Sequence, residues 1–107
     1  MMDKSLLITN LKQGMLLYCQ KEWLDKIKLY LFGSSINGVK YNQDIDIIVV
    51  YNKDYIKIED IIKLRRDLFK YWREHFDIIL DMSLLSNDEE KELRFIKRTR
   101  AELVLLI

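Results

Sequence analysis

The chain has 107 residues, half of them hydrophobic and a third charged, with a formal net charge of +1. That length suits about one small domain with its own core, spanning residues 1–107, and neither a general nucleic-acid-binding field nor an acidic tail follows from so balanced a charge. One cysteine and one histidine exclude an internal disulfide and a zinc site of ordinary ligand count, and no apolar run approaches the ~20 residues that a membrane span needs.

The apolar stretch near the N-terminus is soon interrupted by Thr9, Asn10 and Lys12, so no signal peptide is read there and a cytoplasmic location is expected. From about Ser5 to Lys21, the positions Leu7, Ile8, Leu11, Met15 and Tyr18 paint one stripe on a helix. Gly14 inside that stripe costs the helix about 1 kcal/mol relative to alanine. Cys19 sits among apolar residues and reads as a buried thiol. Lys28–Phe32 reads as a short strand stopped by Gly33, and residues 33–43 hold the turn formers. Asp44–Tyr51 (DIDIIVVY) is the most strand-like segment, apolar on both faces after its acidic start, and is expected to be central. Ile58–Glu74 follows a helical repeat through Ile58, Ile61, Ile62, Arg65, Leu68, Phe69 and Trp72. Phe76–Met82 reads as another strand, and Ser86 with Glu89 forms a capping box that starts a last helix. Leu103–Ile107 either continues that helix or makes a short strand, packing in the core or serving as a partner surface. The order α-β-β-α-β-α predicts an α/β (α+β) domain with a small mixed sheet flanked by helices.

Chemistry concentrates at three places. Asp44 and Asp46 alternate with isoleucine in a strand, so both carboxylates share one face. Asp46 stands directly before four aliphatic residues. A carboxylate there needs a partner, and two carboxylates side by side repel unless a cation lies between them. Hard oxygen donors of this kind suit Mg²⁺ or Mn²⁺. The competing reading makes Asp44 a turn residue and pairs Asp46 with a lysine. Gly33-Ser34-Ser35 follows a strand directly. The glycine lets the backbone approach a ligand, and the free N–H groups and hydroxyls suit phosphate oxygens; a plain turn with a serine cap is the alternative. The third place is Asp77, heading the apolar run Ile78-Ile79-Leu80, with Asp81 as its competitor on the same face. Asp77 is preferred because the start of the strand should lie nearer the site.

This order of parts is a strand, Gly-Ser, nine residues, Asp-x-Asp in a strand, a helix, and a strand carrying an aspartate. It resembles the minimal nucleotidyltransferases, of the superfamily that includes DNA polymerase beta and the aminoglycoside nucleotidyltransferases. The resemblance runs from about Lys28 to Ser83. It implies the nucleotidyltransferase fold, and transfer of a nucleoside monophosphate from an NTP to a hydroxyl, with AMP from ATP the expected donor pair. Gly33, Ser34 and Ser35 would bind the nucleotide, while Asp44, Asp46 and Asp77 would hold Mg²⁺ or Mn²⁺ and carry catalysis. Many small relatives have a loop like Gly-Ser-Arg-x-Arg-Gly, whereas this chain has Gly33-Ser34-Ser35-Ile36-Asn37-Gly38, with Lys40 two residues on. Phosphate charge must then be met by the metals and by lysines elsewhere.

The resemblance also implies a helical HEPN-type partner, with this chain as the antitoxin of a toxin–antitoxin pair. An acceptor site completed by a second subunit, in a homo-oligomer, stays open, as does a catalytically weak member that binds a nucleotide or partner without transfer. Arg94, Lys97, Arg98 and Arg100 read as a solvated helix face balancing Glu89, Glu90 and Glu92, with phosphate or RNA contact as the other reading. His75 reads as a helix C-terminal dipole partner.

Overall fold

The computed structural model describes residues 2–35 and 44–105, the side chains of Ser34 and Leu105 excepted. Helix α1 (Lys4–Tyr18) starts where the Asp3 carboxylate accepts the Leu6 N–H at 2.8 Å, and it buries Leu7, Leu11, Gly14 and Met15. The stripe expected there is present, but the helix stops at an extended Cys19 and a 3-10 turn covers Lys21–Lys26. Strand β1 (Ile27–Leu31) pairs antiparallel with β2 (Asp44–Tyr51), Leu31 opposite Ile47.

Helix α2 (Ile58–Phe76) crosses over to β3 (Ile79–Ser86), which lies parallel to β2. Its buried residues are Ile61, Leu64, Leu68 and Trp72, a narrower stripe than expected, with Ile58, Ile62 and Phe69 exposed. Ser86 accepts the Glu89 N–H while Glu89 accepts the Ser86 N–H, so the expected capping box forms. The last helix is divided into α3 (Asn87–Leu93) and α4 (Phe95–Thr99). Arg94 takes a left-handed conformation (φ 52°) between them, and the Glu90 carboxylate turns back to accept the Ile96 N–H at 3.0 Å. Strand β4 (Glu102–Leu105) pairs antiparallel with β1 and completes a sheet of order β3-β2-β1-β4. This is the mixed sheet with flanking helices that the order of elements predicted, and of the alternatives for Leu103–Ile107 the strand is realised as far as Leu105, residues 106–107 lying outside the described residues.

The two faces of β2 do different work. Ile45, Ile47, Val49 and Tyr51 enter the core with α1 and α2. Asp44, Asp46, Ile48 and Val50 face the other way, because side chains alternate. Gly14 lets α1 and α2 approach closely: a Cβ there would lie 3.1 Å from Leu68 Cδ2 and 3.7 Å from the indole nitrogen of the fully buried Trp72. The helix cost of that glycine is thus offset by helix–helix packing.

Cys19 is buried, and burial pushes its thiol pKa up to about 11. Because the thiolate is the reactive form, iodoacetamide should label the native protein roughly 100-fold more slowly than the urea-unfolded chain at the same pH. Equal rates, read by mass spectrometry, would contradict this burial. Among the described residues, no helix is long and apolar enough to cross a membrane.

Candidate active site

The site begins where β1 ends. The Phe32 N–H donates to the Asp46 carbonyl at 3.2 Å, extending the β1–β2 ladder by one residue and setting Phe32 opposite Asp46. The chain then turns sharply at Gly33, whose φ of +61° is a conformation glycine adopts freely. A Cβ on Gly33 would come within 3.4 Å of Asp46 Oδ2, so the turn passes directly beside that carboxylate. Ser35 closes the turn: its N–H donates to the Phe32 carbonyl at 3.3 Å, and its buried hydroxyl accepts the Asp46 N–H at 2.8 Å.

Ser35 was expected to offer its hydroxyl to a nucleotide. In the structure the oxygen of that hydroxyl accepts the Asp46 N–H and so fixes the Gly33 turn to β2. The Ser34 side chain lies outside the described residues, as do residues 36–43, Lys40 among them.

Asp44 is exposed and Asp46 half-buried on one face of β2, as alternation requires. The parallel register then sets Asp81 of β3 directly beside Asp46, and Ile79 beside Asp44. Neighbouring strands lie about 4.8 Å apart, so Phe32, Asp46 and Asp81 form one row across three strands. The two carboxyl groups are close enough to hydrogen-bond. Asp46 has its pKa raised, first by burial, then by the charges of Asp81 and Asp44 and by a hydrogen bond that its protonated carboxyl donates to Asp81.

Asp77 is not part of this row, and its expected place at the head of a strand is corrected. Helix α2 continues through Phe76, and Asp77 closes it in a left-handed conformation (φ 54°), its N–H donating to the Trp72 carbonyl. Its carboxylate pairs with Arg73 at 2.7 Å and is 87% exposed. Ile78 then drops into the core, and β3 starts only at Ile79. His75 lies in the last turn of α2, its ring bonded to the Tyr71 carbonyl and stacked on the Tyr71 ring, away from this row.

Asp46 and Asp81 suit a small divalent ion. Mg²⁺ takes one or two carboxylates and completes its shell with water and substrate phosphates, and it would relieve the repulsion that raises the Asp46 pKa. Among the described residues, no group of three or more His, Cys, Asp or Glu side chains is gathered to hold a metal by itself, so the fit is to an ion shared with a phosphate-bearing substrate. Beside Asp81, an open groove of about 410 Å³ runs between α2 and β3, lined by Arg65, Arg66 and Phe69.

A mixed sheet that sets an acidic pair beside a glycine turn is the framework of a transferase of phosphorus-containing groups. The chain belongs to the nucleotidyltransferase domain family: that family's model matches residues 13–105. The expected fold and class of enzyme are therefore borne out. No curated protein matches the chain.

Proposed function

We propose that the protein transfers AMP from ATP to a hydroxyl group, with Asp44, Asp46 and Asp81 as the acidic residues of the site. The observation that carries this reading is the half-buried Asp46 carboxylate, flanked on one side by the Gly33 turn and on the other by Asp81. A divalent ion, Mg²⁺ or Mn²⁺, would neutralise charge on the phosphates when held by Asp46 and Asp81 together with the substrate, with Asp44 adding negative charge on the same face. The backbone of Gly33 and Ser34 would steady the triphosphate. The acceptor oxygen forms a bond to the α-phosphorus while the bond to the β-phosphate oxygen breaks. Pyrophosphate leaves, and Asp81 accepts the acceptor's proton. Asp81 is also among the residues that line the groove between α2 and β3.

We place the acceptor hydroxyl on a helical HEPN-type partner in the cytoplasm, with this chain as the antitoxin; the resemblance of Leu31–Val50 to the minimal nucleotidyltransferases supports that assignment. The test incubates the purified protein with each α-labelled NTP, with and without Mg²⁺, alone and with a co-expressed helical neighbour. Metal-dependent label on the partner, strongest with ATP, is the expected result. Label on neither protein, with no pyrophosphate released, would overturn the reading. Binding of Mg-ATP without transfer would instead favour an inactive binding module, a reading that the absence of cations from the described part of the Gly33 turn favours.

A further inference from the structure

The described part of the Gly33 turn, residues 33–35, brings no positive charge to the phosphates it would hold. Residues 33–43 contain one cation, Lys40, which lies outside the described residues. The same face of the sheet carries a second element, α4. Its first residue, Phe95, meets Phe32 edge-to-face at 5.8 Å between ring centroids. Phe32 is the residue opposite Asp46 and directly before Gly33. Helix α4 therefore sits over the strand end that leads into the turn, one strand spacing from the Asp46–Asp81 pair. Tyr30, on the same face of β1 as Phe32, has its pKa raised by burial and then by the charge of Glu90 in α3.

The basic residues of this corner, Arg94, Lys97, Arg98 and Arg100, are exposed, as the solvated-face reading expects, but among the described residues none pairs with a glutamate of α3. Glu89 bonds the Ser86 N–H and Glu90 bonds the Ile96 N–H. Among the described residues, the ion pairs are Lys4–Glu102, Lys26–Asp25, Lys53–Asp88, Lys70–Glu74 and Arg73–Asp77, so Arg94 and Arg98 are in none of them. Position matters within α4. Arg98 is three residues beyond Phe95 and shares its side of the helix, whereas Lys97 lies on the opposite side.

We propose that Arg98, assisted by Arg94, binds the β- and γ-phosphates of the nucleotide from above the Gly33 turn, adding a cationic contact beside residues 33–35, which carry none. This rests on the nucleotidyl-transfer reading and adds the residues that grip the polyphosphate. A guanidinium fork suits phosphate oxygens better than an ammonium group.

Calorimetric titration with Mg-tripolyphosphate and with Mg-ATP tests it without any turnover. Arg98→Gln should weaken both ligands by about tenfold, Arg98→Lys should recover part of the loss, and Lys97→Gln, with the same charge change on the far side, should stay within about twofold of the parent. All variants should keep the parent melting temperature, since Arg98 and Lys97 are exposed. Equal weakening by Arg98→Gln and Lys97→Gln would reduce the effect to general charge and overturn the assignment. If the parent binds Mg-ATP and transfers nucleotide while Arg98→Gln binds as the parent does, only this inference falls. If the parent binds neither ligand, the nucleotidyl-transfer reading falls with it.

Discussion

Asp46→Asn should cut nucleotidyl transfer on the order of 10³-fold or more and, in the absence of metal, raise the melting temperature by a few degrees. The two effects have one origin. Asp46 sits half-buried between Asp81 and the Gly33 turn, with Asp44 on the same face, and burial and these charges raise its pKa. A carboxylate whose native pKa is raised binds its proton more tightly folded than unfolded. Folding stability from this group is then full at low pH and declines as pH rises from the ordinary carboxylate value through the raised one, where the native state must ionise at a cost. Asparagine keeps the shape and removes that cost, partly discounted because the side chain reaches solvent. It also removes a ligand charge that metal catalysis needs, worth several kcal/mol in a transition state. Differential scanning calorimetry with and without Mg²⁺ separates the parts. The parent should gain stability when Mg²⁺ is added, the variant should gain little, and the pH dependence of the metal-free parent should flatten in the variant. A variant less stable than the parent under metal-free conditions would remove the repulsion argument, and retained turnover would remove Asp46 from the site.

Most of this architecture could be read from residue patterns because local and global preferences agree in them. The apolar run after Asp46 gave a central strand whose carboxylates had to share a face. The Ser86–Glu89 capping box gave the start of α3 to the residue. The failures came where a local pattern had two uses. Phe76-Asp77-Ile78 alternates like a strand, yet those residues close α2: Phe76 is its last residue, Asp77 takes the left-handed cap that aspartate tolerates, and Ile78 is buried at the turn. Ser35 has the hydroxyl a phosphate site needs, and no sequence pattern shows that its oxygen also accepts the Asp46 N–H. The division of α3 from α4 depends on the Glu90 carboxylate reaching the Ile96 N–H, a tertiary contact invisible in the helical repeat. A signal for Asp81 did exist. The capping box fixes the end of β3 at Ser86, and a strand of the same length as β2, counted back from there, starts at Ile79. Asp81 is then third in its strand, as Asp46 is third in β2.

That register makes the sharpest comparison between the two acidic residues on either side of Ile79. Asp81→Asn should lower the transfer rate by on the order of 10²- to 10⁴-fold, the span expected for loss of a positioned proton acceptor, with the larger end reached if Asp81 also holds the ion. Asp77→Gly should leave transfer within about twofold of the parent. Its stability should also change little, because two small terms oppose: glycine relieves the left-handed backbone strain of about 1 kcal/mol, while the exposed ion pair with Arg73 loses at most about as much. Asp81→Asn, like Asp46→Asn, should stabilise the metal-free protein, since it removes the other half of the same repulsion. Turnover assays at saturating Mg²⁺ and ATP, beside melting curves without metal, read both quantities on the same preparations. Should Asp77→Gly be the silent enzyme and Asp81→Asn the active one, the parallel register of β2 and β3 would not be the device that assembles the site. The two strands set two like charges in one row at a cost to the fold, and the expected return for that cost is an ion that only the substrate's phosphates can complete.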